Sequence, residues 1–341
     1  MRILALNGGS SSFKCRLDDV DSSSCSTPPK PLWHQNAERG TSLEQILESV
    51  PRPVDVVGHR IVHGGGFRNS TFITPEVRDA IAREAEIAPA HNRYELHAID
   101  SVTKILDAPQ IAVFDTAFHA TLDRAAYVYP GPYEWFEHGI RRYGFHGISH
   151  QYASRRAAEI LGRTQLRLVT CHLGNGASLA AVRDGKSIDT TMGFTPLEGL
   201  MMGTRSGSVD PAILIYLIRH QGYSAEQLDS MLNQKSGLAG ISGVSGDMRE
   251  ILAAIESGND RARLAFEMYG HRLCRGIGEM IGSLGGVDAI VFTGGVGENC
   301  APLRELVAKR FAFLGTMPIL VIHAEEEWEI VRECRRIADN K

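Results

Sequence analysis

Residues 169–212 run VTCHLGNGASLAAVRDGKSIDTTMGFTPLEGLMMGTRSGSVDPA. With Leu168 before it, the stretch opens as a buried strand, Leu168-Val169-Thr170-Cys171, and breaks at His172-Leu173-Gly174-Asn175-Gly176. A second strand, Ala177 to Val182, leads to an Asp184-Gly185 reversal. A hairpin tip without bulky side chains lets backbone N–H groups close on an anion. Downstream, Gly203-Thr204-Arg205-Ser206-Gly207 sets one cation among small residues, a setting for a guanidinium aimed at phosphate. The stretch reads as part of a phosphoryl-transfer centre.

The same design stands at the start of the chain. Residues 2–6 form a strand, Asn7-Gly8-Gly9-Ser10-Ser11-Ser12 a turn, and Phe13 to Leu17 an alternating strand. The two hairpins form a weak internal repeat, one copy near the start of each half. Further strands are expected over Val54–Gly58, Ile111–Phe114, Asp288–Phe292 and Ile319–Ile322. Helices should start at Thr74-Pro75 (its apolar face running to Ala88), after the Tyr143–Gly147 turn, at Asp210-Pro211 and at the Ser224…Gln227 capping box. A long buried helix should carry Leu264, Met268, Leu273, Ile277, Met280, Ile281 and Leu284, and Glu325-Glu326-Glu327 should open the last helix. Residues 21–31 are polar and proline-rich, as in a surface loop. Strands alternating with helices give an α/β fold.

A chain of 341 residues suits two domains of roughly 150 residues each. A net charge of −4 gives no support for nucleic-acid or anionic-membrane binding. The 35 glycines cluster at 64–66, 174–176, 203–207, 237–246 and 294–297, which points to close-approach loops in one site. Six cysteines without a C-x-x-C pair read as reduced thiols of a cytoplasmic protein. The N-terminus has no signal-peptide pattern, and no apolar run reaches the ~20 residues of a membrane span.

Three nucleotide or hydrolase signatures fail. Asp184-Gly185-Lys186-Ser187 ends like a P-loop, but position 180 is Ala. Gly295-x-Gly297 is followed by Cys300 where a dinucleotide fingerprint needs glycine. Asp115 and His146 have no G-x-S-x-G serine to serve.

Nine segments together resemble the acetate kinase family, within the superfamily of sugar kinases and actin. They are NGGSSSFK (7–14), VGHRIVHGG (57–65), APAHN (88–92), VFDTAFH (113–119), YGFHGISH (143–150), HLGNGAS (172–178), MGFTPLEGLMMGTRSG (192–207), SGVSGDMRE (242–250) and FTGGVGEN (292–299). The resemblance implies two related ribonuclease-H-like domains with the active site in the cleft between them. Their expected bounds are 1–116, with 329–341 packing back on it, and 117–328. It implies reversible phosphoryl transfer from MgATP to acetate by a homodimer, with Mg2+ (for which Mn2+ can stand in) and no nucleic-acid or membrane partner.

Residue by residue, the resemblance assigns Asn7 to the metal side and Lys14, with Ser10 and Ser12, to the nucleotide phosphates. Arg60, Asp115, His146 and Arg205 become the catalytic set. His172, Leu173, Gly174, Asn175 and Gly176 would cradle phosphates. Asp247, Met248 and Arg249, with Gly295, Val296, Gly297, Glu298 and Asn299, would line the adenosine pocket. The metal-linked glutamate falls at Glu326, with Glu327 second. A carboxylate acceptor is already ionised at neutral pH, so Asp115 suits holding Mg2+ through water better than acting as a base. The acetate pocket would be formed by Val62, Phe145, Pro196 and Ala90.

The chain departs from the family pattern in three ways. It is shorter around residues 21–50, Arg93 stands where proline is usual, and Ala90 stands where leucine is common. The last change should enlarge the pocket, and one methylene is worth roughly 1–3 kcal/mol of discrimination. Propionate, another phosphoryl donor, and a non-catalytic ATP-binding regulator of the actin type are the alternatives.

Overall fold

The computed structural model describes residues 1–8, 12–20, 27–38, 41–84 and 89–340, and of residues 12, 38 and 89–93 only the backbone. The chain divides into two units. Unit one comprises Met1–Ala120, Phe145–Tyr152 and Glu325–Lys341, and unit two comprises Thr121–Gly144 and Ala153–Ala324.

Unit one holds a sheet of β1 (Arg2–Gly8), β2 (Ser12–Asp19), β3 (Trp33–Glu38), β4 (Val56–Ile61), β5 (Thr71–Phe72) and β6 (Gln110–Phe114) in the order β3-β2-β1-β4-β6-β5. The strands β1, β2 and β3 form an antiparallel meander, while β4 pairs parallel with β1 and β6 parallel with β4. Unit two repeats the plan with β7 (Arg167–Leu173), β8 (Ala177–Arg183), β9 (Lys186–Thr190), β10 (Ala289–Thr293) and β11 (Ile319–Val321), ordered β11-β10-β7-β8-β9. Here β7, β8 and β9 form the meander, β10 runs parallel to β7, and β11 parallel to β10. The repeat expected from the two hairpins is therefore a repeat of whole sheets. The parallel strands are apolar through their middles, with Ile3–Leu6, Ile111–Phe114 and Ala289–Phe292 buried, as strands covered on both faces tend to be.

In unit one, Leu4, Leu6, Phe13 and Val57 pack with Leu47, Ala98 and Val102 of the helices Leu43–Ser49 and Pro89–Ile105. The helix Glu326–Ala338 packs against β1 and β4, and a Cβ at Gly58 would lie 2.7 Å from Ile330 Cγ2. In unit two the helix Asp260–Leu284 lies on β8, where a Cβ at Gly276 would come within 2.8 Å of Leu179.

Helix starts follow their caps. Asp210 accepts from Ala212 N at 2.9 Å ahead of Pro211–Gln221, and the Ser224–Gln227 box closes in both directions. One expectation needs correction. Leu264 is exposed, because Ala262, Ala265 and Tyr269 carry the inner face of that turn. A second helix, Pro89–Ile105, follows Pro75–Glu84. Ala85 and Ala88 lie outside the described residues.

The segment Phe145–Tyr152 belongs with unit one, although it interrupts the sequence expected for the second domain. Gly147 N donates to Asp115 O at 3.0 Å, and a Cβ at Gly147 would run into that carbonyl, so the helix Gly147–Leu161 starts hard against the end of β6. Cys15, Cys171, Cys274, Cys300 and Cys334 are free and buried, and Cys25 lies outside the described residues. No helix is long and apolar enough to cross a membrane among the described residues.

Candidate functional site

Unit one gathers its candidate residues at the ends of parallel strands, where α/β sheets carry their sites. Arg60 lies one residue before the end of β4, Asp115 follows β6, Asn7 lies near the end of β1, and Glu326 opens the last helix. Arg60 donates to one oxygen of Asp115 from Nε at 3.0 Å and Nη2 at 2.6 Å, and to Asn7 Oδ1 from Nη1 at 3.0 Å. Glu326 lies 3.6 Å from the same Nη1. The amide of Asn7 donates to Glu326 at 2.9 Å and to Glu327 at 2.7 Å. The glutamates then diverge, because Glu327 lies 3.8 Å from Lys14 Nζ while Glu326 faces Arg60.

Burial works against the Arg60 charge, but Asp115 and Glu326 outweigh it and hold its pKa above the ordinary value. Burial also lifts the Asp115 carboxyl, against the pull of Arg60 and a hydrogen bond from the backbone of Ile148. That bond aims the start of the helix Gly147–Leu161 at Asp115. His146 sits immediately before it with φ of +57°, a left-handed conformation uncommon outside glycine. Its neighbour Phe145 is buried, with His119 Nε2 3.1 Å from its carbonyl. Val62 is buried two residues beyond Arg60.

Unit two builds its part from backbone. The β7–β8 hairpin closes with Gly174 N on Gly176 O at 2.9 Å, flanked by His172 and Leu173. Gly203 N donates to Asn175 O at 3.2 Å, and a Cβ at Gly203 would approach Asn175 Oδ1 to 2.5 Å and Gly246 O to 3.0 Å. Gly237, at φ +63°, lies against the carbonyls of Met202 and Arg205. Gly294 lies over Leu173, where a Cβ would come within 2.8 Å of its carbonyl. Four of the five glycine clusters thus meet in one unit, while Gly64 packs on Phe114 and Thr116 in the other.

Arg205 donates to Pro196 O at 2.8 Å, and among the described residues no carboxylate lies within ion-pair distance of it. Burial therefore lowers its pKa with nothing to offset it. Arg60 is already engaged by an anion, whereas Arg205 is a half-buried cation that a bound anion would stabilise.

The adenosine candidates have structural partners of their own. Asp247 caps the helix Met248–Glu256, accepting from Arg249 N at 2.8 Å, and pairs with the exposed Arg249 side chain. Glu298 accepts from Gly294 N and Ala324 N, both at 3.0 Å, and faces His323 Nδ1 at 2.5 Å. Asn299 donates to Gly295 O within the helix Gly294–Asn299, which includes Val296 and Gly297. Ser10 lies outside the described residues, and the side chains of Ser12 and Ala90 are not described.

Sequence reasoning missed Glu95. This buried carboxylate accepts from Val62 N with both oxygens, at 3.1 and 3.2 Å. Burial pushes its pKa up to about 8 despite the nearby Arg60. The signal lay in Pro89 as a first helical residue, with Ala98, Ile99 and Val102 at inward spacings beyond it.

The acetokinase family profile matches residues 36–319. An acetate kinase of Nostoc punctiforme is 49% identical over 405 aligned positions, covering 100% of both chains. Among solved structures, the acetate kinase of Porphyromonas gingivalis has a TM-score of 0.87 at 38% identity and covers 99% of each chain. A propionate kinase of Francisella tularensis subsp. tularensis SCHU S4 has a TM-score of 0.89 at 36% identity, covering 98% of this chain and 99% of that one. On the family match, the full-length identity and the duplicated sheet, the chain belongs to the acetokinase family.

Proposed function

We propose that this chain is an ATP:acetate phosphotransferase that makes acetyl phosphate and ADP reversibly by direct in-line transfer. Full-length identity to acetate kinases supports the reaction class, and the Arg60–Asp115–Asn7–Glu326 cluster carries the site. Asn7, Glu326 and Asp115 would hold Mg2+. Their hard oxygen donors suit it, and the few carboxylates match a metal that also relies on substrate phosphates. No all-protein cage of three acidic, His or Cys side chains occurs among the described residues. When bound, the metal would neutralise phosphate charge.

In-line transfer through a loose transition state asks mainly for positioning and charge stabilisation. Arg60, held by Asp115, presents a fixed guanidinium to the acceptor carboxylate or the transferring group. Arg205 supplies a second cation whose charge is uncompensated before substrate arrives, and His146 donates to the phosphoryl oxygens. Lys14 and the backbone of residues 172–176 engage the nucleotide phosphates. Arg205→Ala should lower kcat far more than it raises KM for ATP. Near-normal turnover in steady-state assays would remove Arg205 from the mechanism.

The second reading is a preference for propionate. Ala90 at a pocket position supports it, and a propionate kinase is as similar in fold as an acetate kinase. Acyl phosphate formation from MgATP with formate, acetate, propionate and butyrate, compared by kcat/KM, decides between them. Acetate ahead supports the first reading, a longer acid ahead the second, and no product from any acid sinks both.

The enzyme acts as a cytoplasmic homodimer in this reading. The helix Pro211–Gln221 buries no residue within its own chain and exposes Ile213, Ile215, Tyr216 and Ile218 about half or more. An all-round apolar helix calls for a covering surface, and a second copy supplies one.

A further inference from the structure

Outside the residues already assigned, unit two holds a polar network of Tyr129, Arg142 and Glu198. The Arg142 guanidinium donates from Nη1 to three successive carbonyls, Thr190 and Thr191 at 3.1 Å and Met192 at 2.9 Å. Its Nη2 donates to Glu198 Oε1 at 2.7 Å. The Tyr129 hydroxyl donates to Glu198 Oε2 and accepts from Phe194 N at 2.8 Å. Gly193 O accepts from Tyr143 N at 3.0 Å. A Cβ on Gly193 would collide with both the Glu198 carboxylate and the Tyr129 hydroxyl, so glycine is required for this network to close.

The segment so held, 190–198, contains Pro196, whose carbonyl receives Arg205 Nη1 at 2.8 Å. No hydrogen bond of the network goes to Pro196 or Arg205 directly. Its bonds flank Pro196, holding the backbone of Met192 and Phe194 before it and the Glu198 carboxylate after it. Only a planar multi-donor cation can serve three carbonyls and a carboxylate at once, which a lysine ammonium cannot reproduce in this geometry.

We propose that Tyr129, Arg142 and Glu198 are positioning residues that set acceptor specificity by fixing the Pro196 wall and the aim of Arg205. This rests on the reading of the chain as a short-chain carboxylate kinase. Among the described residues no hydrogen bond of the network goes to a residue assigned to ATP, so it should act on the acid and not on the nucleotide.

The test is steady-state kinetics of Tyr129→Phe and Glu198→Gln with acetate and propionate, each with ATP varied separately. Loss of one such hydrogen bond should cut kcat/KM for the carboxylate about 3–10-fold and shift the acetate-to-propionate ratio, with KM for ATP within about two-fold of wild type. Unchanged carboxylate constants in a folded variant, or an equal rise in KM for ATP, would overturn the proposal. If Glu198→Gln does not fold, Tyr129→Phe decides, since it removes a single oxygen. A wild type inactive on every short acid would count against the kinase reading itself. An active wild type with indifferent variants would count against the network alone.

Discussion

The two units share one order over five strands, with β5 added at the edge of the first, and use it in opposite ways. In unit one the strand ends carry charged side chains, with Arg60, Asp115, Asn7 and Glu326 linked by hydrogen bonds and ion pairs of 2.6–3.6 Å. In unit two the equivalent hairpin carries glycine, and residues 174–176, 203, 237, 246 and 294 bring backbone against backbone. A site of side chains should fail when a functional group changes, even at constant charge. A site of backbone should fail when a single Cβ is added.

The largest effect is expected from Arg60→Lys, which keeps the charge but loses the fork that grips Asp115 and Asn7. A drop in kcat/KM of about 10²–10³-fold, with the fold intact by circular dichroism, is expected. Activity within a few-fold of wild type would break the contrast on the side-chain half. On the backbone half, Gly237→Ala forces a Cβ onto the Met202 carbonyl at φ +63°. It should destabilise unit two by about 3 kcal/mol in denaturant titrations, and a neutral outcome would mean that the loops move apart freely.

A smaller effect concerns Glu95, whose pKa rises from 4.5 unfolded to about 8 folded through burial. The folded chain therefore binds the extra proton between those values. The stability this gives is present in full below about 4.5 and is lost as pH rises through about 8. Glu95→Gln should match wild type near pH 5 and exceed it by roughly 1–2 kcal/mol near pH 9, read as Tm against pH. Parallel Tm curves for the two proteins would show that Glu95 does not keep its proton.

Much of the fold was legible because its signals are local. Strand-glycine-strand hairpins, the Asp210 and Ser224 caps, and the strand at 111–114 that delivers Asp115 each announce themselves within a few residues. Asn7, Arg60 and Asp115 of the charged cluster in unit one stand inside the signature segments, whereas Glu326 lies outside them, in the glutamate run that opens the last helix. What stayed hidden depends on distant partners. Glu95 looks like any helical surface glutamate until Val62 N is found above it. Arg142 and Glu198 are 56 residues apart, and only the fold brings them to 2.7 Å. Leu264 matched the period of its helix, but alanines on the neighbouring turn positions, together with Tyr269, took the inner face.

The helix Glu326–Ala338 has a consequence for how the protein is made. Its Trp328, Ile330, Val331 and Cys334 are buried with unit one, where it packs against strands from the first 61 residues. Domains tend to fold as they leave the ribosome, N-terminal parts first. Here the sheet face of the earlier-made half lacks the cover of this helix until residues 326–338 are made, by which point all of unit two has been synthesised. The same late segment brings Glu326 to Asn7, so the acidic side of the site forms only when translation has passed it. A chain stalled before residue 325 would hold the glycine loops and lack that carboxylate, leaving an unfinished product without it.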